Sequence, residues 1–261
     1  FKISAVPFHM WAPDVYEGSP TSITSFFAIV PKIAAMTVFI RFMYVPFINV
    51  IESWQVILVF LSIASMVFSS IAAIGQINIK RLLAYSSIGH MGYALAGIST
   101  GTSEGIQSTI IYIIIYSVMN LGIFSSLFLL KNKNIFNEDI KELSGLSKNH
   151  PLIGFALLIL LFSLAGIPPL AGFFAKFYIF MAVIKSEMYL LAIIGLLSTV
   201  ISAFYYLRII KVIYFDKATQ EFDEIKNYGA KMVLFITCVF LGLYFINPSS
   251  FINLVSAIKF Y

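Results

Sequence analysis

Residues 151–185 form one continuous apolar run that is interrupted by a single charged residue, Lys176. At about 1.5 Å per residue, one helix over this run would be much longer than the hydrocarbon core of a bilayer, which is about 30 Å thick. Pro168 and Pro169 lie inside the run, and a proline removes a backbone donor and clashes with the preceding turn. The run therefore predicts a helix that is broken at these prolines.

The composition places the whole chain in a membrane. Its 261 residues are 60% hydrophobic and 11% charged, with a mean hydropathy of +0.93, whereas soluble domains are about 25% charged. Since a spanning helix needs about 20 mainly apolar residues, we predict an all-α, polytopic transmembrane helix bundle of about seven full spans. The candidate segments are 23–45, 54–75, 82–99, 106–130, 151–185, 188–210 and 231–254. Residues 1–12 are interpreted as the tail of a truncated first helix.

The basic residues predict the orientation of these segments. If the segments alternate in direction, most loop lysines and arginines fall on one side, which faces the bacterial cytoplasm or the mitochondrial matrix by the positive-inside rule. They are Lys80, Arg81, Lys131, Lys133, Lys141, Lys148, Arg208, Lys211, Lys217, Lys226 and Lys231. We interpret the mixed-charge loops 131–150 and 211–230 as solvated connectors without chemistry.

Several kinds of site are not indicated by the sequence. Cys238 is the only cysteine, and an iron–sulfur cluster needs about four ligands. His9 and His150 lie far apart without ligand partners at zinc-site spacing. No glycine-rich phosphate-binding motif and no Ser–His–Asp arrangement occur, and the scattered basic residues argue against nucleic acid as a partner. We therefore predict no metal, no cofactor and no redox-active residue on this chain.

Three lysines lie in apolar segments close to prolines. They are Lys2 before Pro7, Lys32 after Pro31, and Lys176 after Pro168 and Pro169. A lysine in hydrocarbon costs from roughly 2.5 kcal/mol upward and commonly marks an ion path. Broken helices free backbone groups that recruit water, and such a wet site can hold a charge. We predict helix breaks at Pro7, Pro31, Pro168 and Pro169, and a proton relay that includes Lys2, Lys32 and Lys176.

The alternative for each lysine is that it extends to the interface or pairs with an acid as a structural bridge. Lys32 and Lys176 have no acid in their own segments, which favours the relay, whereas Lys2 cannot be placed by depth. His90 lies near the middle of its segment beside hydroxyl groups, and it is either a further proton carrier or a structural histidine between helices. Asp14 and Glu17 lie at an aqueous end, where they could orient the helix break, but they are interpreted as polar residues of a loop.

Four sequence blocks resemble one known family. FKISAVPFHMWAPDVYEGSPT, then a segment with PK at its centre, then KRLLAYSSIGHMGY, then SLAGIPPLAGFFAKFY follow one another along the chain. This order resembles that of the proton-translocating, antiporter-like membrane subunits of respiratory complex I (NADH:ubiquinone oxidoreductase), in particular the subunit 2 family of mitochondria, called subunit N in bacteria. The resemblance covers essentially the whole chain.

The resemblance implies a topology and residue roles. Members have fourteen transmembrane helices with two inverted five-helix repeats, and residues 1–261 are expected to be a single membrane domain that begins inside the seventh helix. The implied relay residues are Lys2 on the broken seventh helix, Lys32 on the eighth, His90 on the tenth and Lys176 on the broken twelfth. The acidic partner on the fifth helix is outside this sequence.

The resemblance also implies the function, which is proton translocation coupled to electron transfer from NADH to ubiquinone. FMN, iron–sulfur clusters and ubiquinone are then expected on partner subunits, and none on this chain. The expected partners are the other membrane-arm subunits, the missing N-terminal half of the same subunit and the lipid bilayer. The Phe- and Ile-rich composition favours the mitochondrial inner membrane, and a bacterial inner membrane is the alternative.

Two other functions remain open on the sequence. The chain could be a subunit of a multisubunit sodium/proton antiporter, although those relatives favour an acid at the position of Lys176. It could also be an inert scaffold within the complex.

Overall fold

Helices form nearly all of the regular structure in the computed structural model, which describes residues 1–130, 138–218, 222 and 227–256. Eleven α-helices occur in these residues. They are α1 (Trp11–Gly18), α2 (Thr21–Tyr44), α3 (Ile51–Ile74), α4 (Ile79–Ser99), α5 (Ser103–Leu129), α6 (Leu146–Asn149), α7 (Pro151–Ala165), α8 (Ala171–Lys185), α9 (Tyr189–Phe215), α10 (Tyr228–Leu243) and α11 (Pro248–Ser256). The predicted all-helical class is confirmed.

Five segments of the described chain are long and apolar enough to cross a membrane. They are Thr21–Tyr44, Ile48–Ile74, Ser103–Leu129, Tyr189–Phe215 and Tyr228–Ile246. The all-helical bundle is therefore a multi-pass membrane protein. The sequence predicted about seven spans, and the remaining apolar segments correspond to α4 and to the pair α7 and α8.

Helix α4 lies at the centre of the bundle. It contacts α1, α2, α3, α5, α8 and α9, and every residue from 86 to 99 is buried. At Gly92, an added Cβ would lie 2.8 Å from Met66 Cγ and 3.1 Å from the Ser62 carbonyl oxygen, so α3 and α4 pack closely because this position has no side chain. The central position of α4 explains why it carries serine, histidine and tyrosine side chains, which are shielded from lipid.

The long apolar run forms two helices, α7 and α8, with Pro168 and Pro169 between them. Helix α7 ends where Gly166 adopts a left-handed conformation with φ of 85°, which glycine reaches without strain. The N–H of Gly172, in the first turn of α8, donates to Ser163 Oγ at 3.1 Å. An added Cβ at Gly172 would lie 1.8 Å from the Ser163 carbonyl oxygen, so the two helices meet closely at the break.

Residues 1–12 are not the helix tail that the sequence predicted. Residues 1–10 form turns, and α1 begins at Trp11. Pro7 cannot donate a backbone hydrogen bond, and the N–H of Val6 donates to Ser65 Oγ of α3 at 2.9 Å rather than to a helical carbonyl. This segment is thus held against the bundle by contacts with α3.

Three further predictions differ from the structure. Pro31 lies inside the continuous helix α2 and does not break it, since transmembrane helices tolerate the loss of one backbone donor. The predicted span 231–254 is interrupted after Ile246, because Pro248 starts a new helix, α11. Within the predicted connector 131–150, Ile140, Leu143 and Leu146 are buried, so its described part packs onto the bundle rather than being fully solvated.

Candidate functional site

Lys32 is a buried cation in the middle of α2. Only 1% of the residue is exposed, and its Nζ donates to Ser87 Oγ of α4 at 2.6 Å. The same Nζ lies 5.6 Å from the centre of the Tyr16 ring, so a hydroxyl group and an aromatic face replace water around the ammonium group. Pro31 brings no helix break to this lysine, and α4 supplies its polar contact.

Lys176 is held by the break between α7 and α8. It is 5% exposed, and its Nζ donates to the carbonyl oxygens of Leu164 at 3.0 Å and Ala165 at 3.1 Å. The last carbonyls of a helix have no partner within it and form the negative end of its dipole. The break therefore provides the acceptors that a buried ammonium group requires, and Tyr93 adds an aromatic ring 5.2 Å from Nζ.

His90 lies on α4 between two phenols from other helices. It is 3% exposed, its Nδ1 lies 2.6 Å from the Tyr112 hydroxyl, and its Nε2 lies 3.2 Å from the Tyr206 hydroxyl. Tyr206 also hydrogen-bonds to Ser86. Each ring nitrogen thus has a group that can donate or accept a proton.

One face of α4 lies between the two lysines. Ser87, His90 and Tyr93 are spaced three residues apart, so they follow one another along one side of the helix. Ser87 contacts Lys32 at one end, and the Tyr93 ring faces Lys176 at the other. The His90 and Tyr93 ring centres lie 6.2 Å apart. We name Ser87, His90 and Tyr93 the α4 polar face.

A small cavity lies beside the α4 polar face. It has a volume of about 10 Å³ and is lined by His90, Ser69, Ser86 and Ser202, among others. A space of this size and polarity holds about one water molecule. Water at this position would extend the hydrogen-bonding groups of α4 toward α3 and α9.

Neither buried lysine has a carboxylate partner among the described residues. The ion pairs in this part of the chain join Lys80 to Glu138, Arg81 to Asp14 and Glu17, and Lys185 to Glu104. Lys32 and Lys176 are therefore not members of a structural ion pair there. The described residues also contain no group of three or more His, Cys, Asp and Glu residues that could hold a metal ion.

The structure does not bring Lys2 into this cluster. Lys2 is exposed in the turns that precede α1, near Pro7, whereas Lys32 and Lys176 are buried. The structure thus groups Lys32, His90 and Lys176 and leaves Lys2 apart.

The sequence analysis missed the tyrosines that surround His90. Tyr112 comes from α5 and Tyr206 from α9, far from His90 along the chain. A tyrosine in an apolar segment is commonplace, so its spacing carries no signal until the helices are packed.

The sequence analysis also missed an ionic cluster at the start of α4. Lys80 is 2% exposed, forms an ion pair with Glu138 and donates to the Ser19 carbonyl oxygen at 2.7 Å. Together with Glu17 and Ser19, it lines a polar cavity of about 430 Å³. The ion pair between Lys80 and Glu138 also shows that the connector after α5 contributes a side chain that anchors it to α4.

Next to Lys80 on α4, the Arg81 guanidinium forms ion pairs with Asp14 at 2.8 Å and with Glu17 at 2.7 Å. Asp14 and Glu17 thus belong to helix α1 and to this cluster, rather than to a loop. The sequence did contain a signal for this contact. Asp14 and Glu17 are acids three residues apart, and Lys80 and Arg81 are adjacent bases elsewhere in the chain.

Replacing Glu138 with Gln is expected to destabilise the subunit. The change leaves the ammonium group of Lys80 buried without its counter-charge, which typically costs about 3–5 kcal/mol. The amount of the folded protein in membranes and its thermal stability after extraction measure this effect.

Glu104→Gln is the matched control for Glu138→Gln. Glu104 and Lys185 form a pair at 2.8 Å whose side chains are 56% and 58% exposed, and exposed pairs contribute about 0–1 kcal/mol. If both variants accumulated in membranes to the same extent and were equally stable, the buried pair would not have the anchoring role assigned to it.

The fold and the site together define an antiporter-like membrane subunit, with two buried lysines that lack carboxylate partners among the described residues and a broken helix beside one of them. Residues 1–202 match the family described as NADH:quinone oxidoreductase/Mrp antiporter, transmembrane. Because this match covers most of the chain, the chain belongs to that family.

Within the family, the chain is similar to proteins named NADH-quinone oxidoreductase subunit N. It is 67% identical over 259 residues to that of Pelagibacter ubique, covering 99% of this chain and 55% of the relative. It is 53% identical over 249 residues to that of Rhodospirillum rubrum, covering 95% of this chain and 51% of the relative. The chain therefore spans about half the length of the curated relatives it matches.

Solved structures show the same fold. A chain of respiratory complex I from Thermus thermophilus superimposes with a TM-score of 0.83 at 30% identity, covering 97% of this chain and 55% of that chain. A chain of an archaeal membrane-bound sulfane sulfur reductase gives a TM-score of 0.83 at 26% identity, covering 97% of this chain and 51% of that chain. A chain of the Mrp complex of a Dietzia species shares the fold, with a TM-score of 0.77 at 19% identity. The match covers 97% of this chain and 59% of that chain.

Proposed function

We propose that this chain acts within the membrane arm of a respiratory complex I, as the C-terminal part of a subunit N. There it would carry protons between Lys32 and Lys176 while partner subunits transfer electrons from NADH to a quinone. The observation that carries the proposal is the α4 polar face, which lies between two buried lysines that lack carboxylate partners among the described residues.

The relay we propose moves protons through side chains and water. Ser87 and Tyr16 contact Lys32, and the two ring nitrogens of His90 contact phenols. An imidazole with a donor or acceptor at each nitrogen can take a proton on one side and release it on the other. The cavity beside His90 gives room for a water molecule that would shorten the remaining steps.

The driving force would come from outside this chain. Moving one charge against the membrane potential requires about 2.3 kcal/mol per 100 mV, and no redox group is proposed here. We place FMN, iron–sulfur clusters and the quinone on partner subunits. The other membrane-arm subunits and the N-terminal half of the same subunit are further proposed partners, and Lys2 would act next to that half.

The topology fits this role if two more spans are added to the five long apolar segments. Helix α4 would cross at the centre of the bundle, and the pair α7 and α8 would cross together as a broken helix, which gives seven spans in one membrane domain of residues 1–261. The curated relatives named above come from bacteria. They favour a bacterial membrane over the mitochondrial inner membrane that composition had suggested.

The deciding experiment compares proton transport driven by NADH and by sodium. Inverted membrane vesicles from a strain that carries the complete subunit should acidify when NADH is supplied, and a sodium gradient alone should give no acidification that depends on this subunit. Deletion of the subunit should remove the NADH-driven signal. Acidification that follows sodium and persists without NADH oxidation would instead assign the chain to a sodium/proton antiporter.

A further inference from the structure

A large groove lies on the outside of the bundle, between α5, α7 and α10. Its volume is about 1060 Å³, just above the range of about 300–1,000 Å³ that is typical of small-molecule sites. The wall is apolar along α7 and α10, and its polar residues are concentrated where both helices begin, near His150, Tyr228 and Lys231. The groove is therefore amphipathic along its length.

The polar end of the groove is positively charged. Lys231 is exposed there and forms no ion pair with a described residue. Helices α7 and α10 start at Pro151 and Tyr228, so the positive ends of two helix dipoles lie at this end. Pro151 has no N–H, and the Asn227 side chain already accepts from the Ala230 N–H. The described lining contains no acidic side chain. This combination complements an anion such as a phosphate group.

The groove extends from the membrane surface into the bilayer, and its wall is longer on α10 than on α7. On α7 its lining extends from Pro151 to Ile159, and on α10 from Tyr228 to Leu243, which corresponds to about 12 Å and about 22 Å of helix at 1.5 Å per residue. Half of a hydrocarbon core is about 15 Å. The polar end thus lies at the predicted basic side of the membrane, and the apolar wall extends toward the bilayer centre.

From this arrangement we propose that the groove binds an anionic phospholipid of the leaflet that faces the basic loops. Its phosphate would lie beside Lys231 and the starts of α7 and α10, and an acyl chain would lie along α7 and α10, next to Cys238. The groove shares no residue with the α4 polar face. An experiment that disproved lipid binding in the groove would therefore not disprove the proton relay.

Cys238 provides a reporter for this site. It lines the groove, is partly exposed and is the only cysteine of the chain. The assembled complex with the complete subunit is depleted of lipid in detergent, and alkylation of Cys238 by N-ethylmaleimide is followed by peptide mass spectrometry. Dioleoylphosphatidylglycerol is expected to slow this reaction at lower concentrations than dioleoylphosphatidylcholine does.

Lys231→Gln should weaken protection by phosphatidylglycerol about fivefold, since one lysine at an anionic lipid surface contributes about that factor. It should leave protection by phosphatidylcholine unchanged. Lys211→Gln is the matched control, because Lys211 is exposed on α9 and does not line the groove.

Three results would overturn the proposal. Cys238 could be unreactive in the lipid-depleted complex, which would show that a partner subunit covers the groove. Neither lipid could protect Cys238, which would show that no lipid binds there. Both lipids could protect Cys238 equally, with no effect of Lys231→Gln, which would show that the groove does not recognise an anionic headgroup.

Discussion

Replacing Lys32 with Gln is expected to slow the proton transport step that this lysine serves by roughly 100-fold or more, because loss of a positioned proton-transfer group costs about 10²–10⁴ in rate. Gln can still hydrogen-bond to Ser87, and it removes the only group at this position that gains and releases a proton. The ratio of protons moved to NADH oxidised, measured in vesicles that contain the complete complex, should fall.

Lys32→Arg separates proton transfer from charge. Arginine stays protonated in proteins, so it keeps a cation beside Ser87 and Tyr16 but cannot release its proton. We expect this variant to fail as well, while Lys185→Gln, which changes an exposed lysine, should transport normally. Normal transport by Lys32→Arg would mean that only the charge is needed and would refute the relay.

The second large effect is expected at Lys176, where transport and structure can be measured separately. Lys176→Gln and Lys176→Met should both reduce transport to the same extent as Lys32→Gln, since neither side chain carries a proton. Only Met leaves the carbonyl oxygens of Leu164 and Ala165 without their donor, and a buried unsatisfied polar group costs about 1–3 kcal/mol.

The two Lys176 variants are therefore expected to differ in assembly. Less Lys176→Met than Lys176→Gln subunit should appear in the complex on a native gel, at equal loss of transport per assembled complex. If Lys176→Gln assembled normally and still transported protons at the unchanged rate, Lys176 would be a structural clamp for the broken helix and not a relay residue.

Local sequence chemistry was sufficient to predict the helix broken at Pro168 and Pro169 and the burial of Lys32 and Lys176. It did not predict that Lys2 is exposed or that Lys80 is buried. Two adjacent prolines and a lysine in an apolar run are costly in a membrane unless the fold provides for them, so they carry information without any knowledge of packing. The structure supplies the reason for Lys176, whose acceptors are the carbonyls that the break leaves free. For Lys32 the proximity to a proline was misleading, because α2 is continuous.

The surroundings of His90 could not be predicted, since they depend on how the helices are rotated against one another. In a soluble bundle the apolar stripe fixes this rotation, but α9 is apolar on most of its surface and gives no such stripe. Tyr206 lies 116 residues from His90 in sequence and still contacts it. The Lys80–Glu138 pair was missed for the same reason, because its partners come from different parts of the chain.

The most direct test of the relay measures whether Lys32 and Lys176 act in one path. Protons per NADH oxidised are measured for Lys32→Gln, Lys176→Gln and the double variant in the same vesicle preparation. Steps in series predict that the double variant loses no more transport than either single variant. If each single variant kept a substantial part of the transport and the two losses added in the double variant, the lysines would serve separate routes and the connection through α4 would be wrong.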